Sequence, residues 1–127
     1  MGTVVDVYPE KVAAWMEDDD TVVIDVREAG ELIQGRIAGA RHLPLSSFDP
    51  AELGVDRAEK VVFFCAHGIR SRQVGQWLID HGYLDAAYSV AGGIVAWAAA
   101  RLPLQTCAPC YPQVPRTRVP FGAGADR

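Results

Sequence analysis

The chain has 127 residues, half of them apolar and 22% charged, with a mean hydropathy of +0.06, which is enough for one packed core, too short for two full domains and incompatible with global disorder. Sixteen Asp and Glu against twelve Lys and Arg leave a formal charge of −4 and a sequence pI near 5.2, so nucleic acid and anionic membrane surfaces are excluded as expected partners. The longest apolar run, seven residues at 94–100, is far short of the roughly 18 that span a bilayer, and the N-terminus M-G-T-V-V-D-V lacks the basic and apolar regions of a secretory signal, so the expected location is the cytoplasm.

In chain order, residues 4–7 (V-V-D-V) predict a strand, and Pro9 suits the first turn of a helix carrying Val12, Ala13 and Trp15. That helix dissolves in the acidic run 17–20, read as solvated surface. Residues 22–26 (V-V-I-D-V) form a nearly continuous β-branched run, the pattern of a central strand covered on both faces. A short strand at 41–43 is closed by Pro44. Residues 61–65 (V-V-F-F-C) predict a second central strand. From about Arg70 a helix places Val74, Trp77, Leu78 and His81 on one face expected to be buried, and stops at Gly82. A strand at 87–90 follows, then a helix after Gly92-Gly93 with Ile94, Trp97 and Ala98 on one stripe, ending near Leu102 before Pro103. Trp97 is expected in the core.

Alternating strands and helices predict an α/β fold with a mostly parallel sheet. The domain is expected to span residues 1–102. Residues 103–127 read as a proline-rich tail, since five of the eight prolines fall there. The tail carries three Arg and one Asp, or +2, leaving nine basic and fifteen acidic residues, or −6, in the body.

Three cysteines, Cys65, Cys107 and Cys110, are too few and too odd in number for a disulfide framework, so reactive or metal-binding chemistry is the better expectation. Cys65 ends a buried strand, and the loop Ala66, His67, Gly68, Ile69, Arg70 and Ser71 leads into a helix. A thiol at that junction faces backbone N–H groups and the positive end of the helix dipole, and both lower its pKa. Gly68 lets the loop curl around the sulfur, and Arg70 adds a permanent charge suited to an anionic substrate.

Four motifs in sequence carry a family resemblance: V-I-D-V-R-E at 23–28 with Glu31 close behind, G-R-I-A-G-A-R-H-L-P at 35–44, C-A-H-G-I-R-S at 65–71 and V-A-G-G-I-V-A-W at 90–97. Over roughly residues 5–102 the chain resembles the rhodanese (thiosulfate sulfurtransferase) superfamily, specifically its small single-domain members. The resemblance implies a three-layer α/β fold, a five-stranded sheet with helices on both faces. It also implies a sulfane sulfur carried on Cys65 as a persulfide, from a small anionic donor such as thiosulfate to a thiol or protein acceptor. The amides of residues 66–71 would cradle the outer sulfur. Asp25, Arg27 and Glu31 match the family's charged motif and are assigned to fixing loops. Arg36 stands where the family often has His, with an effect expected on loop support and not on chemistry; His42 and His67 are expected to be solvated or locally bonded. No metal or organic cofactor is called for.

Two rivals stand beside this reading. Related phosphatases and arsenate reductases use a Cys-to-Arg loop with one more intervening residue; here four residues lie between Cys65 and Arg70, a smaller ring that suits one sulfur better than a phosphoryl group. A sulfur carrier or regulatory docking module would hold the persulfide without turning over. The pair Cys107 and Cys110 forms a CxxC that is open to four readings: a redox disulfide, half a zinc site, resolving thiols that take the sulfur from Cys65, or two inert free thiols on the tail.

Overall fold

β-Branched and aromatic residues make the centre of the sheet. The computed structural model describes residues 2–54 and 60–105. Its elements are β1 (Val5–Val7), α1 (Pro9–Trp15), β2 (Thr21–Asp25), β3 (Arg41–His42), β4 (Lys60–Phe64), α2 (Ile69–Asp80), β5 (Tyr88–Val90) and α3 (Gly93–Ala99). Short 3₁₀ turns occupy Ala29–Gln34, Leu45–Ser47 and Pro50–Glu52. The five strands are ordered β1-β5-β4-β2-β3, and every pairing is parallel. β2 and β4 pair from Thr21 opposite Lys60 to Asp25 opposite Phe64. These are the two strands whose continuous apolar sequence suits burial on both faces.

Alternation along β2 and β4 divides the core in two. Val23, Val62 and Phe64 join Val7, Val12, Val90 and Trp97 on the face covered by α1 and α3. Ile24, Val61, Phe63 and Cys65 turn the other way, toward Val74, Leu78 and Ile79 of α2. Cys65 therefore approaches the sheet's end on the α2 side. Because all strands are parallel, the turns after β1, β2, β4 and β5 gather at one edge, where open α/β sheets place their sites.

The structure corrects the expected face of α2. Val74 and Leu78 are buried, but Trp77 is 45% exposed and His81 also faces outward. The buried stripe is Ser71, Val74, Gly75, Leu78 and Ile79, displaced around the helix because Gly75 sits against Val4, Ala87 and Phe63. A glycine permits that close approach, and neither it nor Ser71 registers in an apolar pattern. Trp97 is 2% exposed, and its indole N–H donates to the Pro103 carbonyl at 2.9 Å. Residues 103–105 run on along the body, where Leu104 packs against the core and Gln105 bridges to Arg36. Among the described residues no helix is long and apolar enough to cross a membrane.

Candidate active site

Cys65 follows β4 directly, and its side chain is 1% exposed. The Gly68 N–H donates to its sulfur at 3.2 Å and the Ser71 N–H at 3.4 Å. The Ser71 hydroxyl lies 3.6 Å from the sulfur and shares a 2.7 Å hydrogen bond with the Ser89 hydroxyl of β5. Burial alone pushes the thiol up; the Ser71 hydroxyl and the N–H groups of Ser71, Gly68 and His67 outweigh it and hold the thiol below its ordinary value. The sulfur thus packs in the wall of the core while its lone pairs meet donors of the loop and of the first turn of α2.

The loop holds this shape because its carbonyls are occupied elsewhere. The Ile94 N–H donates to the Cys65 carbonyl at 2.8 Å, and the Val95 N–H to the Ala66 carbonyl at 3.2 Å. With both oxygens drawn toward α3, the N–H groups of the loop turn to the sulfur. Gly68, at φ 97, and Gly93, at φ 64, make the close approach possible. A Cβ on Gly93 would overlap the carbonyls of Cys65 and Ala66, and one on Gly68 would crowd the Gly92 N–H and the Val90 carbonyl. The glycine pair before α3 is therefore part of the site, as is Ser89. A G-G dipeptide after a strand was the only sequence signal for the first, and a small polar residue in a strand is no signal for the second.

The remaining candidate residues form a brace beside the loop. Asp25 and Arg27 are each 2% exposed and pair at 2.8 Å. Arg27 also donates to the Glu31 carbonyl at 3.2 Å and the Gly35 carbonyl at 2.8 Å, which pins the segment that carries Glu31. The Glu31 carboxylate receives both terminal nitrogens of Arg70, at 2.9 and 2.8 Å. The Arg70 guanidinium holds the Glu31 carboxyl down to about 2, against the penalty of burial. Arg70 is in turn held above its ordinary value, chiefly by its hydrogen bonds to Glu31 and also by the Cys65 sulfur.

Sequence reasoning grouped Glu31 with Arg27 and left Arg70 free for substrate; in the fold Glu31 belongs to Arg70. His67 and Ile69 are exposed on the loop and Ala66 is half-buried. His42 sits 2.7 Å through its Nε2 from the Arg27 carbonyl, and Arg36 pairs through its backbone with Gln105. Cys107 and Cys110 lie outside the described residues. Among the described residues no three His, Cys, Asp or Glu side chains converge as metal ligands do.

The family model for the Rhodanese-like domain matches residues 8–100. The thiosulfate sulfurtransferase GlpE of Actinobacillus succinogenes is 35% identical over 101 residues, covering 80% of this chain and 90% of the relative. That of Glaesserella parasuis is 31% identical over 103 residues, covering 81% and 94%. Among solved structures, the polysulfide-sulfur transferase homodimer of Wolinella succinogenes matches with a TM-score of 0.70 at 27% identity, covering 83% of this chain and 80% of that one.

Proposed function

This chain belongs to the rhodanese-like domain family, and we propose that it is a cytoplasmic sulfurtransferase moving one sulfane sulfur from a small anionic donor such as thiosulfate to a thiophilic acceptor, through a persulfide on Cys65. The observation that carries this reading is the convergence of the Gly68 and Ser71 N–H groups and the Ser71 hydroxyl on one sulfur. Those donors favour the thiolate before a donor arrives. An outer sulfur added to Cys65 would develop its negative charge beside the same loop, and those donors would stabilise it.

The reaction divides into two displacements. The Cys65 thiolate attacks the outer sulfur of thiosulfate; the sulfur-sulfur bond of the donor breaks, and sulfite leaves with the bonding pair. An acceptor such as cyanide or a thiolate then attacks the outer sulfur of the persulfide, and Cys65 departs as thiolate. Arg70 draws the anionic donor toward the loop, and the brace of Asp25, Arg27 and Glu31 fixes where its guanidinium stands.

Loop length weighs against phosphoryl chemistry: only four residues separate Cys65 from Arg70, a smaller ring of amides than suits a phosphoryl group with three equatorial oxygens. Purified protein given thiosulfate and cyanide should form thiocyanate, and Cys65→Ser should reduce formation to background. Hydrolysis of an aryl phosphate without thiocyanate formation would overturn the reading. A persulfide that forms but is never passed to cyanide would leave a carrier in place of an enzyme.

A further inference from the structure

A groove of about 340 Å³ opens beside the site. Leu45, Phe48 and Pro50 of the segment after β3 form one wall, and Val74 and Trp77 of α2 the other. Arg70 lines it too, one helical turn before Val74. The Arg70 side chain meets the Cys65 sulfur as well as Glu31, so the charged end of the groove is also the mouth of the cysteine loop.

That volume falls within the roughly 300–1,000 Å³ of small-molecule sites, and the walls are set before any ligand arrives. Ser46 donates its N–H and hydroxyl to the Glu28 carboxylate at 3.1 and 2.6 Å, and the Glu28 N–H donates to the Glu31 carboxylate at 2.8 Å. Arg70, Glu31, Glu28 and Ser46 thus stitch the two walls together near the thiol. Arg41 donates to the Leu53 and Glu52 carbonyls at 2.6 and 2.8 Å, which ties down the other end of the Leu45 wall. The Trp77 ring stacks on His81 at 4.0 Å and on Tyr83 at 5.8 Å, which fixes the plane it offers to the groove.

The lining defines the occupant. Among the described residues that line the groove Arg70 alone is charged and, Gln73 apart, the others are apolar. Glu31 takes one N–H from each terminal nitrogen of Arg70, so three of the five guanidinium N–H donors remain. The complement is a small molecule with one anionic end and an apolar body. Thiosulfate and cyanide have no such body, whereas a thiolate on a hydrophobic frame has both parts, and the second displacement consumes a nucleophile of that kind.

We propose that this groove is the acceptor subsite and that it selects organic thiols with an apolar, ring-sized body over small polar ones. The inference rests on the sulfur-transfer reading above and names its acceptor class. With its body against Trp77 and Phe48, the acceptor presents its thiolate at Arg70 and attacks the outer sulfur of the Cys65 persulfide. The sulfur–sulfur bond breaks and Cys65 leaves as thiolate with the bonding pair. The acceptor departs as its own persulfide, R–S–S⁻, and the proton of the incoming thiol goes to solvent, so neither oxidant nor reductant enters.

The test loads the full chain with thiosulfate and removes the excess. Intact mass then follows loss of the added sulfur after mixing with benzyl mercaptan or 2-mercaptoethanol, two alkyl thiols of similar acidity. Benzyl mercaptan should discharge the persulfide about tenfold or more faster at equal concentration, the discrimination an apolar pocket gives to added carbon. Trp77→Ala, a change at an exposed position, should bring the ratio of the two rates near unity, and Trp77→Phe should keep most of the preference. Gain of the added sulfur shows that each variant retains its site. Equal rates with the wild-type chain overturn the subsite, and a preference that survives Trp77→Ala overturns this groove as its seat. A wild-type chain that gains no sulfur from thiosulfate instead overturns the transfer reading itself.

Discussion

Ser89, on β5 between β1 and β4, shares a 2.7 Å hydrogen bond with the Ser71 hydroxyl, and that hydroxyl stands 3.6 Å from the Cys65 sulfur. Both serines are fully buried; when Cys65 is a thiolate the Ser71 hydroxyl must be the donor to it, which leaves the Ser71 oxygen to accept from Ser89.

Ser71→Ala should therefore raise the pH midpoint of thiol alkylation, because a donor to the charged form is lost; such a bond is worth about 1.5–3 kcal/mol. Ser89→Ala should raise it less, since it leaves the Ser71 hydroxyl in place but unoriented. Iodoacetamide rates across pH measure both, and a midpoint unmoved by Ser71→Ala would remove the hydroxyl from the account.

Gly93 and Gly82 offer a matched comparison, as both have positive φ, at 64 and 81, but only Gly93 has backbone where a Cβ would go. Each Ala substitution costs about 1–2 kcal/mol for the left-handed conformation. Gly93→Ala should cost clearly more, because the Cys65 and Ala66 carbonyls must move, and should also raise the alkylation midpoint. Gly82→Ala should lower only the melting temperature. Equal losses in the two variants would mean that α3 does not shape the loop.

The Glu31–Arg70 pair makes stability depend on pH at the acid end. Glu31 titrates at about 2 in the fold against 4.5 ordinarily. A depressed carboxyl contributes in full above 4.5, and its contribution is lost as pH falls toward 2. The two side chains are 33% and 34% exposed, so screening limits the effect to about 0.5–1 kcal/mol. Urea unfolding of Glu31→Gln should show a shallower acid loss than wild type, and parallel curves would contradict the pairing.

Arg27 lies buried against Asp25, so Arg27→Ala leaves a buried carboxylate without its partner and should cost about 3–5 kcal/mol. Asp25→Leu combined with Arg27→Met removes both charges and should recover most of that loss. Urea midpoints decide it; a double variant no better than the single would show that the carbonyl contacts of Arg27, not the ion pair, carry the stability.

Much of the scaffold was legible because it is written in near neighbours. The β-branched runs of β2 and β4, the proline that opens α1 and the glycine that follows α2 all act within a turn or a strand. The fold class and the Cys65 junction at the end of β4 follow from such local patterns, as did the motif spacing that pointed to the family. The face of α2 was misjudged for the complementary reason, since Gly75 is buried for its lack of a side chain and Ser71 for its hydroxyl, and neither counts as apolar.

From the sequence alone came the kinds of element, their order, and a thiol set between a buried strand and a helix. The tertiary structure decided which groups surround that thiol. Glu31 meets Arg70 across 39 residues and Ser71 meets Ser89 across 18, contacts created by the strand order β1-β5-β4-β2-β3. Side-chain periodicity reports only what faces the core from one segment, whereas the donors to a buried sulfur are set by which strands lie side by side.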